Sequence, residues 1–581
     1  MRTKLSWRRF SGNRTVAPRF QDIFGFTLLV AMLSVPAASS ALAVGDPLQP
    51  GKLEQEINDA YRSGARTITI NPGKYVMPAK PGGASLSFRE MKDVIISANQ
   101  VEFSFVDPKD ALGFYGCVNL TFGGAAVHYD HPRFCQAKIL GFGTDPAKGA
   151  YYDVQIDLGY PRNARFKSAY VFDPTRRKIK LRTGDMSARS VEALDETGKV
   201  RVFWGNPRVS PPAYNVQEGD YLVCRGDGGT LLHADRCEGC TFRDLALYWG
   251  GVFGIFETGP SRANHYLGIS LTCGPAPPGA TNAPFISQSA DGLHSAGARV
   301  GPDIEHCTFE SMCDDAFAIH GYFVDIVAVS GKNLTVKKSS FEVGDVARIS
   351  STKGFSDEAK VQSVSRLPDG SWLVTLDHEV EAQAGYKVGN PSASGAGYKI
   401  VNNTIRNNRA RGILAKGDNG LIEGNLIDGS TMSGISIGPE YYWNEADYCH
   451  NVVVRNNVVR NTDYAANGQG ENGAVLIHGD GAKGNRNILI ENNRLESVLG
   501  PNLIVEWADG VKIAGNTFDL AQRLPQGNKQ RDQAAIWLRH VQDVSFTGNV
   551  VKGRADINSD MFVLMGEDVT GSSGASTGVV R

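Results

Sequence analysis

The stretch "YKIVNNTIRNNRARGILAKGDNGLIEGNLIDGSTMSGISIG", residues 398–438, contains two copies of one short pattern. In each copy a short β-rich strand is followed by Asn or Gly, then a further Asn, then another short strand. The pattern continues in "HNVVVRNNVVRNTD", "RNILIENNRLESV", "VKIAGNTFDL" and "QDVSFTGNVV". The repeated asparagines are separated by 22, 32, 36, 23 and 33 residues, and they are Asn403, Asn425, Asn457, Asn493, Asn516 and Asn549. The short gaps fit one coil of a β-solenoid, and the long gaps fit a coil with an added loop.

A coil of this kind buries its strands only by stacking on the coils beside it. Asn tolerates the left-handed conformation at a bend, and stacked side-chain amides can form a hydrogen-bonded ladder. The alternative, an antiparallel sandwich, would need hairpin turns and a stricter alternation of apolar residues. We therefore predict an all-β fold, a right-handed parallel β-helix.

The repeat begins early in the chain and is interrupted twice. The interruptions share a turn, in "QEGDYLV" and "EVGDVAR", which predicts two small inserted β-barrel-like modules. The predicted organisation is a signal peptide (1–43), N-terminal β-helix coils (44–125), an inserted β module (126–232), coils with an acidic pair (233–324), a second inserted β module (325–397), C-terminal coils (398–570) and a flexible tail (571–581).

The N-terminus has the layout of an export signal. The basic stretch "MRTKLSWRRFSGNRTVAPRFQD" precedes the apolar "IFGFTLLVAMLSVPAASSALA", which ends in small residues. This pattern predicts cleavage after Ala43 and a periplasmic or secreted protein, with no membrane association after cleavage. The alternative is a membrane anchor, but the apolar part is short and fades into Pro-Ala-Ala-Ser-Ser.

Charge and cysteine content exclude two classes of function. Residues 1–43 carry six basic and one acidic residue, net +5, so the remainder of a chain with a total of −1 carries −6. A mildly acidic protein lacks the basic face that nucleic-acid binding needs, so no nucleic-acid partner is expected. Nine cysteines are present, and Cys237 and Cys240 form a CxxC without a second one. A zinc site is therefore not predicted, and packing or a local disulfide is expected instead.

The stretch "CDDAFAIHGYF", residues 313–323, places two adjacent aspartates before a small apolar strand. Adjacent carboxylates repel each other, so placing Asp314 and Asp315 beside an apolar strand costs free energy. Asp291 lies 24 residues before Asp315, close to one coil away. Stacked acids perturb one another's pKa, as acid/base catalysis requires. The predicted catalytic residues are Asp314, Asp315, Glu445 and Asp291; a calcium site or a capped turn is the alternative.

Alignment of the strands predicts polar columns on the outside of the coils. Ala316, Gly412, Ala474, Asn502 and Ala535 share one column, and four positions on the column contains His320, Lys416, His478, Glu506 and Arg539. Asp315 is expected beside Arg411 on the next coil. Solvated strand ends are the simpler reading of any single member. The predicted substrate-binding residues are His294, His320, Arg411, Lys416, Trp443, His478 and Glu506.

Two loops between coils carry further candidates. "GPEYYWNEADYCHNV", residues 438–452, combines Trp443 with Glu440, Glu445 and Asp447, and aromatic rings beside carboxylates are typical of sugar subsites. The alternative is a loop whose aromatics pack on the flank of the solenoid. A second loop, "ETGPSRANHYLGI", offers Glu257, Arg262 and His265.

The segments "ADGLHS", "GPDIEHCTFESMCDDAFAIHGYF", "RARGILAKG" and "SGISIGPEYYWNEA" resemble the family 110 glycoside hydrolases, α-1,3-galactosidases built on a β-helix with inserted β-barrels. The resemblance implies exo-acting removal of terminal α-linked galactose with inversion, and no metal or cofactor. The family's acidic pair matches Asp314 and Asp315, and its tryptophan-acid loop matches Trp443 and Glu445. "AFAIHG" and "WNEA" differ from the family pattern, which leaves open a sister group with another substrate.

Three functions follow from these residues. The first is an inverting exo-glycosidase acting on a glycan or oligosaccharide, with Asp314 and Asp315 as base candidates and Glu445 or Asp291 as the acid. Inversion predicts carboxyl groups roughly 6.5–9.5 Å apart, and a spacing near 5 Å would indicate retention instead. The second is a polysaccharide lyase or uronan-acting enzyme with Lys416 or Arg411 as base. The third is a non-catalytic glycan-binding β-helix. The sugar, the linkage, the acid and base roles and the oligomeric state stay open.

Overall fold

The fold was determined as a computed structural model that describes residues 41–206, 209, 214–351, 354–465, 472–479, 481, 484–524, 534–553, 562–566 and 568–574. Most of the predicted signal peptide and of the predicted flexible tail lie outside these residues. Residues Leu42–Val44 form a strand that pairs in parallel with residues 68–70, so cleavage after Ala43 would remove two residues of this pairing. Export and cleavage stay predictions.

The described chain is a right-handed parallel β-helix, as the repeat predicted. Its first coils follow one α-helix, Leu53–Arg62, and a short 3-10 turn, Pro50–Lys52. The strands of these coils are Leu42–Val44, Thr67–Ile70, Gly73–Met77, Ala84–Arg89, Lys92–Phe105, Asp110–Tyr115 and Val118–Tyr129. The central coils contain Leu232–Asp235, Thr241–Arg243, Ala246–Tyr248, Ile255–Thr258, His265–Leu267, Ser270–Leu271, Leu293–Ala296, Asp303–Glu305, Thr308–Glu310 and Phe317–Tyr322.

The C-terminal coils contain Lys399–Val401, Thr404–Arg406, Ile413–Ala415, Leu421–Glu423, Leu426–Asp428, Ile435–Ile437, Glu445–Ala446, Val453–Arg455, Val458–Thr462, Val475–Ile477, Asn485–Glu491, Arg494–Ser497, Leu503–Ala514, Thr517–Asp519, Ile536–Thr547, Val550–Lys552 and Val563–Met565. Most of these strands are three residues long, and most of the three-residue strands bury only the central side chain, as Ile400 and Ile405 illustrate. Such a strand cannot form a core alone, so stability comes from stacking equivalent residues of successive coils.

The asparagine ladder is present. The side-chain amide of Asn403 donates to Asn425 at 3.0 Å, and Asn425 donates to Asn457 at 3.0 Å. The same contact continues through Asn493, Asn516 and Asn549. The predicted left-handed conformation, however, belongs to the residue before each ladder asparagine: Asn402, Gly424, Asn456, Asn492, Gly515 and Gly548. Two neighbouring positions thus have different roles. The first adopts the left-handed conformation of the bend, and the second forms the hydrogen bonds of the ladder.

The predicted alignment of the outer columns is confirmed by the strand register. Phe317 pairs with Ile413, Val475 with Leu503, and Leu503 with Ile536, which places all the predicted members in their columns. One coil was missing from the alignment, because Ile413 pairs with Ile435. In the first column Gly434 lies between Gly412 and Ala474. In the second column Gly438 lies between Lys416 and His478.

Both predicted β insertions are present. The first is a seven-stranded antiparallel sheet of strands Cys135–Asp145, Gly149–Ile156, Ala169–Asp173, Lys178–Ile179, Ala188–Ala193, Lys199–Trp204 and Tyr221–Cys224. The second is a closed barrel of Val324–Ser330, Asn333–Val336, Val346–Ser351, Gly354–Arg366, Trp372–Leu376 and Lys387–Gly389. Closure into a barrel is thus found for the second insertion. Two further 3-10 turns are Pro391–Ala393 and Tyr441–Trp443.

The two insertions contact the coils on either side of the acidic pair. The apolar core of the seven-stranded sheet includes Cys313 and Tyr464 of the coils. The barrel is joined to the coils through the buried pair Arg299–Asp345 and through Arg348, which binds Asp418. Among the described residues, none of the helices has the length and apolar character needed to cross a membrane. All nine cysteines are free thiols, so the disulfide alternative for Cys237 and Cys240 is not realised.

Candidate active site

Asp291, Asp314 and Asp315, here called the acidic trio, meet at one bend of the β-helix. The backbone amide of Asp315 donates to Asp291 Oδ1 at 3.2 Å, which places these two carboxylates on successive coils. On the next coil the backbone amide of Arg411 donates to Asp315 Oδ1 at 2.7 Å. One oxygen from each member of the trio lies within 4.8 Å of the others. Three carboxylates this close cannot all be ionised without compensating charge.

Asp314 receives that compensating charge. Arg409 Nη1 lies 2.5 Å from Oδ1, and Arg225 Nη2 lies 3.0 Å from Oδ2. Burial alone would raise the pKa of Asp314, but Arg409, Arg225 and Arg411 lower it on balance. Arg225 follows the last strand of the seven-stranded sheet. The first insertion therefore supplies part of the field that keeps Asp314 ionised.

Asp315 has the opposite environment although it is the next residue. Asp315 is only 4% exposed to solvent. Burial raises the pKa of Asp315 well above its usual range, and the charges of Asp314 and Asp291 act in the same direction. The pair therefore combines a carboxyl group whose pKa is lowered with one whose pKa is raised, the difference that separates base from acid in carboxylate catalysis.

Asp291 is the end of a buried histidine chain. Its Oδ2 lies 2.5 Å from His294 Nδ1, and His294 Nε2 lies 2.9 Å from His320 Nε2. His320 Nδ1 lies 2.7 Å from the carbonyl oxygen of Gly321, which only accepts hydrogen bonds. Burial lowers the pKa of His320 to about 4, so this ring is neutral and carries its hydrogen on Nδ1.

The tautomer of His320 determines which nitrogen of His294 carries a hydrogen. Its Nε2 is an acceptor, so His294 Nε2 must carry a hydrogen, and one more proton is shared between His294 Nδ1 and Asp291. Burial raises the pKa of Asp291, and although burial alone would lower the pKa of His294, Asp291 raises it. His294 and His320, predicted to bind substrate, are thus placed to orient Asp291 and hold its proton.

The predicted column residue Lys416 is fully buried among acids. Its Nζ lies 2.7 Å from Glu440 and also binds Glu445. Arg411 Nη2 binds the same Glu440 at 2.7 Å, and Arg411 Nε lies 3.4 Å from Asp315. Because the next coil has Gly438 in the Lys416 column, the loop that follows has room to turn its acids inward.

These contacts decide the ionisation of Glu445. Burial alone would raise the pKa of Glu445, but the charge and hydrogen bond of Lys416 bring it below its usual value. A carboxylate held ionised is a poor proton donor, so the structure favours Asp315 or Asp291 over Glu445 as the acid. The short strand Glu445–Ala446 pairs antiparallel with Gly321 and Tyr322, which anchors this loop beside His320.

The aromatic residues of the same loop have different positions. Tyr441 packs on Phe323 with ring centroids 4.6 Å apart, as the flank-packing alternative expected. Tyr442 and Trp443 contact each other at 4.8 Å and are 84% and 65% exposed. Trp443 therefore lies at the surface of the loop and not within the buried network. Asp447 is buried beside Arg348, and burial raises its pKa to about 7.

A cavity of about 320 Å³ opens on the C-terminal side of the trio. The predicted residues His478 and Glu506 line it, and Glu506 is bound by Arg539. Its lining residues are Arg411, Met432, Ser433, Ser436, Glu440, Asn472, Leu476, His478, Glu506 and Arg539. The cavity thus shares Arg411 and Glu440 with the network around Asp315.

The second predicted loop does not join the site. Glu257 is buried inside the solenoid, where it accepts hydrogen bonds from Ser295, Asn264 and Tyr266. His265 lies 3.4 Å from Asp303. Alternation along the strand explains the difference: Glu257 follows Ile255 by two residues, so both point into the core.

Arg225 and Arg409 are site residues that the sequence analysis missed. Arg409 lies two residues before Arg411 in "RARG", but the repeat gave it no column. Arg225 comes from another module, 89 residues before Asp314. A cation site at the trio was the predicted alternative, but both Asp314 oxygens already accept from guanidinium groups, which leaves a weaker donor set for a metal.

Comparison with known proteins agrees with the β-helix fold. The family model "Right handed beta helix region" matches residues 381–518. Alpha-1,3-galactosidase B of Akkermansia muciniphila is 28% identical over 250 residues, 39% of this chain and 31% of that protein. A protein of the same name from Phocaeicola vulgatus is 25% identical over 523 residues, 81% of this chain and 83% of that protein.

A solved structure also aligns with the chain. It is the catalytic unit of a GH87 alpha-1,3-glucanase from Streptomyces thermodiastaticus, with a TM-score of 0.41, 11% identity, and coverage of 94% of this chain and 70% of that chain. Likeness at this level says nothing about activity. The matches to named relatives confirm the resemblance seen in the sequence: over most of its length this chain is a low-identity relative of the alpha-1,3-galactosidase B proteins of glycoside hydrolase family 110.

Proposed function

We propose that this protein is an exported glycoside hydrolase that removes a terminal α-linked galactose, or a related sugar, from a glycan. One observation supports this function most: Asp314 and Asp315 are adjacent and have pKa values displaced in opposite directions. Carboxyl groups with separated pKa values at one site are the machinery of glycosidic-bond hydrolysis. The relatives named alpha-1,3-galactosidase B support the sugar and the linkage.

In this mechanism protonated Asp315 gives its proton to the glycosidic oxygen as the bond to the anomeric carbon breaks. Asp291, ionised when His294 carries the proton that the two residues share, accepts a proton from the attacking water, whose oxygen bonds to the anomeric carbon. Asp314 stays ionised and stabilises the positive charge that develops on the sugar ring. His294, hydrogen-bonded between His320 and Asp291, holds the Asp291 carboxylate in place.

Inversion is part of the proposal and rests on the family resemblance. The nearest oxygens of the trio lie within 4.8 Å, closer than the roughly 6.5–9.5 Å between carboxyl groups that inversion normally uses. Proton NMR of the newly released sugar decides this point. Inversion gives the β-anomer first from an α-linkage, and an α-anomer as the first product would contradict it.

Two other functions have weaker support. A lyase needs a free Lys or Arg base, but Lys416 is fully buried between Glu440 and Glu445, and Arg411 binds Glu440. A lyase would give an unsaturated product that absorbs in the near ultraviolet. A non-catalytic binder would not need carboxyl groups with displaced pKa values.

The first test is activity of the purified protein on nitrophenyl glycosides and α-1,3-galactosyl oligosaccharides. We expect galactose release with the wild type and none with an Asp291→Asn, Asp315→Asn double variant prepared in parallel, which controls for contaminating enzymes. Absence of cleavage by a folded wild-type protein, or equal release by the double variant, would overturn the proposal. N-terminal sequencing of the exported protein tests cleavage after Ala43.

A further inference from the structure

Seven aromatic side chains form a continuous row that crosses the coils up to and including those of Asp291 and Asp315. Neighbouring ring centroids are 4.8–5.7 Å apart, within the range of favourable ring contacts. The row, here called the aromatic track, consists of Tyr115, His233, Phe256, Phe253, His294, His320 and Tyr322. It ends at Tyr322, which is 51% exposed and pairs with Glu445 of the loop.

The two phenylalanines lie one coil away from the trio. The Gly254 amide donates to the Asp291 carbonyl oxygen at 3.1 Å, so Phe253 occupies on its coil the position that Asp291 has on the next. Phe256 pairs in register with His294, and both point outward. The rings of Phe253 and His294 are 4.8 Å apart, and those of Phe256 and His294 are 5.5 Å apart.

The outer column that contains Phe256 and His294 then loses its ring. On the coil of Asp315 the same position is Ala318, which pairs with His294. The following coil has Leu414 there. Ala318 and Leu414 are both buried, so this column presents no exposed ring on these two coils. Phe256 and His294 are therefore the last rings of the column before the coil of Asp315.

The surfaces on the two sides of the acidic trio differ in chemistry. On the C-terminal side the cavity is lined by ionic groups, including Arg411, Glu440 and Glu506, that can hydrogen-bond to sugar hydroxyls. On the N-terminal side Phe253 and Phe256 are partly exposed although they are apolar and lie outside the solenoid core. Partly exposed rings next to polar groups are the usual composition of a ligand subsite.

We infer that Phe253 and Phe256 form the subsite for the leaving part of the substrate, a sugar whose apolar face stacks on the two rings. This inference rests on the proposed function and adds to it that the substrate is at least a disaccharide recognised on both sides of the scissile bond. The terminal sugar occupies the ionic cavity, and the leaving sugar lies over Phe253 and Phe256.

The test compares two substrates that share the terminal sugar. α-Galactosyl fluoride has fluoride as its leaving group and cannot use the subsite, whereas an α-1,3-galactosyl disaccharide can. Phe253→Leu and Phe256→Leu keep an apolar side chain and remove the ring. Phe142→Leu is the matched control, because Phe142 is a partly exposed ring on the seven-stranded sheet.

We expect the Phe253 and Phe256 variants to lower kcat/KM for the disaccharide about tenfold more than for the fluoride. Phe142→Leu should leave the ratio of the two values at that of the wild type. Equal losses on both substrates, or no loss on either, would overturn the inference, since a shifted His294 would affect both substrates alike. Failure of the wild type on both substrates would instead overturn the proposed function.

Discussion

Two bends of the same β-helix stack polar side chains, and they do so in different ways. At the asparagine ladder each amide donates to the next at about the same distance, 3.0 or 3.1 Å, so one neutral residue repeated six times satisfies itself. At the acidic bend Asp291, Asp315 and Arg411 occupy equivalent positions on successive coils, but like charges cannot satisfy one another. The ladder is stable because it repeats, whereas the acidic bend depends on residues outside the repeat.

This difference explains why the seven-stranded sheet matters. Arg225 reaches Asp314 from that sheet, and Arg409 joins it from the coil. Asp315 pairs with the Arg411 side chain at the longer distance of 3.4 Å, and its pKa is raised. A regular scaffold thus becomes a site where an insertion gives two neighbouring carboxyl groups unequal shares of positive charge.

The largest effect is expected when the acidic bend loses its proton donor. Asp315→Asn should lower kcat about 10³- to 10⁴-fold, because an amide cannot give a proton to the leaving oxygen. Asp303→Asn is the control, since Asp303 lies between Asp291 and Asp315 in the chain and is a partly buried carboxylate paired with His265 and Lys399. Steady-state kinetics with matched circular dichroism spectra checks this, and a fully active Asp315→Asn would remove Asp315 from the mechanism.

A smaller effect is expected when the charge on Asp314 is left less compensated. Arg409→Gln should lower kcat/KM about 10- to 100-fold and move the acid limb of the pH profile upward by about one unit. The sign follows from the lowered pKa of Asp314: activity needs this group ionised, so raising its pKa makes activity fall at a higher pH as the solution is acidified. An acid limb at the wild-type position would show that Arg409 does not set the ionisation of Asp314.

The histidine chain should respond more weakly. His320→Ala removes the acceptor of the His294 Nε2 hydrogen, so His294 loses its fixed orientation toward Asp291. We expect kcat to fall about tenfold with little change in KM, and the acid limb to move upward because Asp291 loses its imidazolium partner. Tyr322→Phe, which keeps the neighbouring ring, is the control. A change confined to KM would assign His320 to substrate binding, as the sequence predicted.

A substitution in the asparagine ladder should lower stability and leave activity almost unchanged. Asn457→Ala leaves the backbone and side-chain donors of Asn425 without their acceptor, which should cost about 2–4 kcal/mol of unfolding free energy. Urea denaturation followed by fluorescence measures this, with the exposed Lys512→Ala as control. A fall in kcat/KM as large as that of Arg409→Gln would contradict the distinction between a structural bend and a catalytic bend.

The sequence predicted the scaffold because the repeat is a local signal. Regularly spaced asparagines and single apolar residues between them were enough to place Ala316 beside Gly412 and His320 beside Lys416, since parallel stacking keeps register from coil to coil. One coil was missed because Gly434 and Gly438 have no side chain to mark their columns. The left-handed residue was misplaced by one position because "NN" does not reveal which asparagine bends the chain.

The chain by itself therefore determined the β-helix, the two insertions and the stacking of Asp291, Asp315 and Arg411, because each follows from spacing along the coils. Only the tertiary structure decided which carboxyl group is ionised. That depends on Arg225, 89 residues away in a separate sheet, and on the burial of Asp315 and Lys416. The pKa of a carboxyl group depends on its distance from other charges and on its burial. Neither of these can be read from the order of residues along the chain.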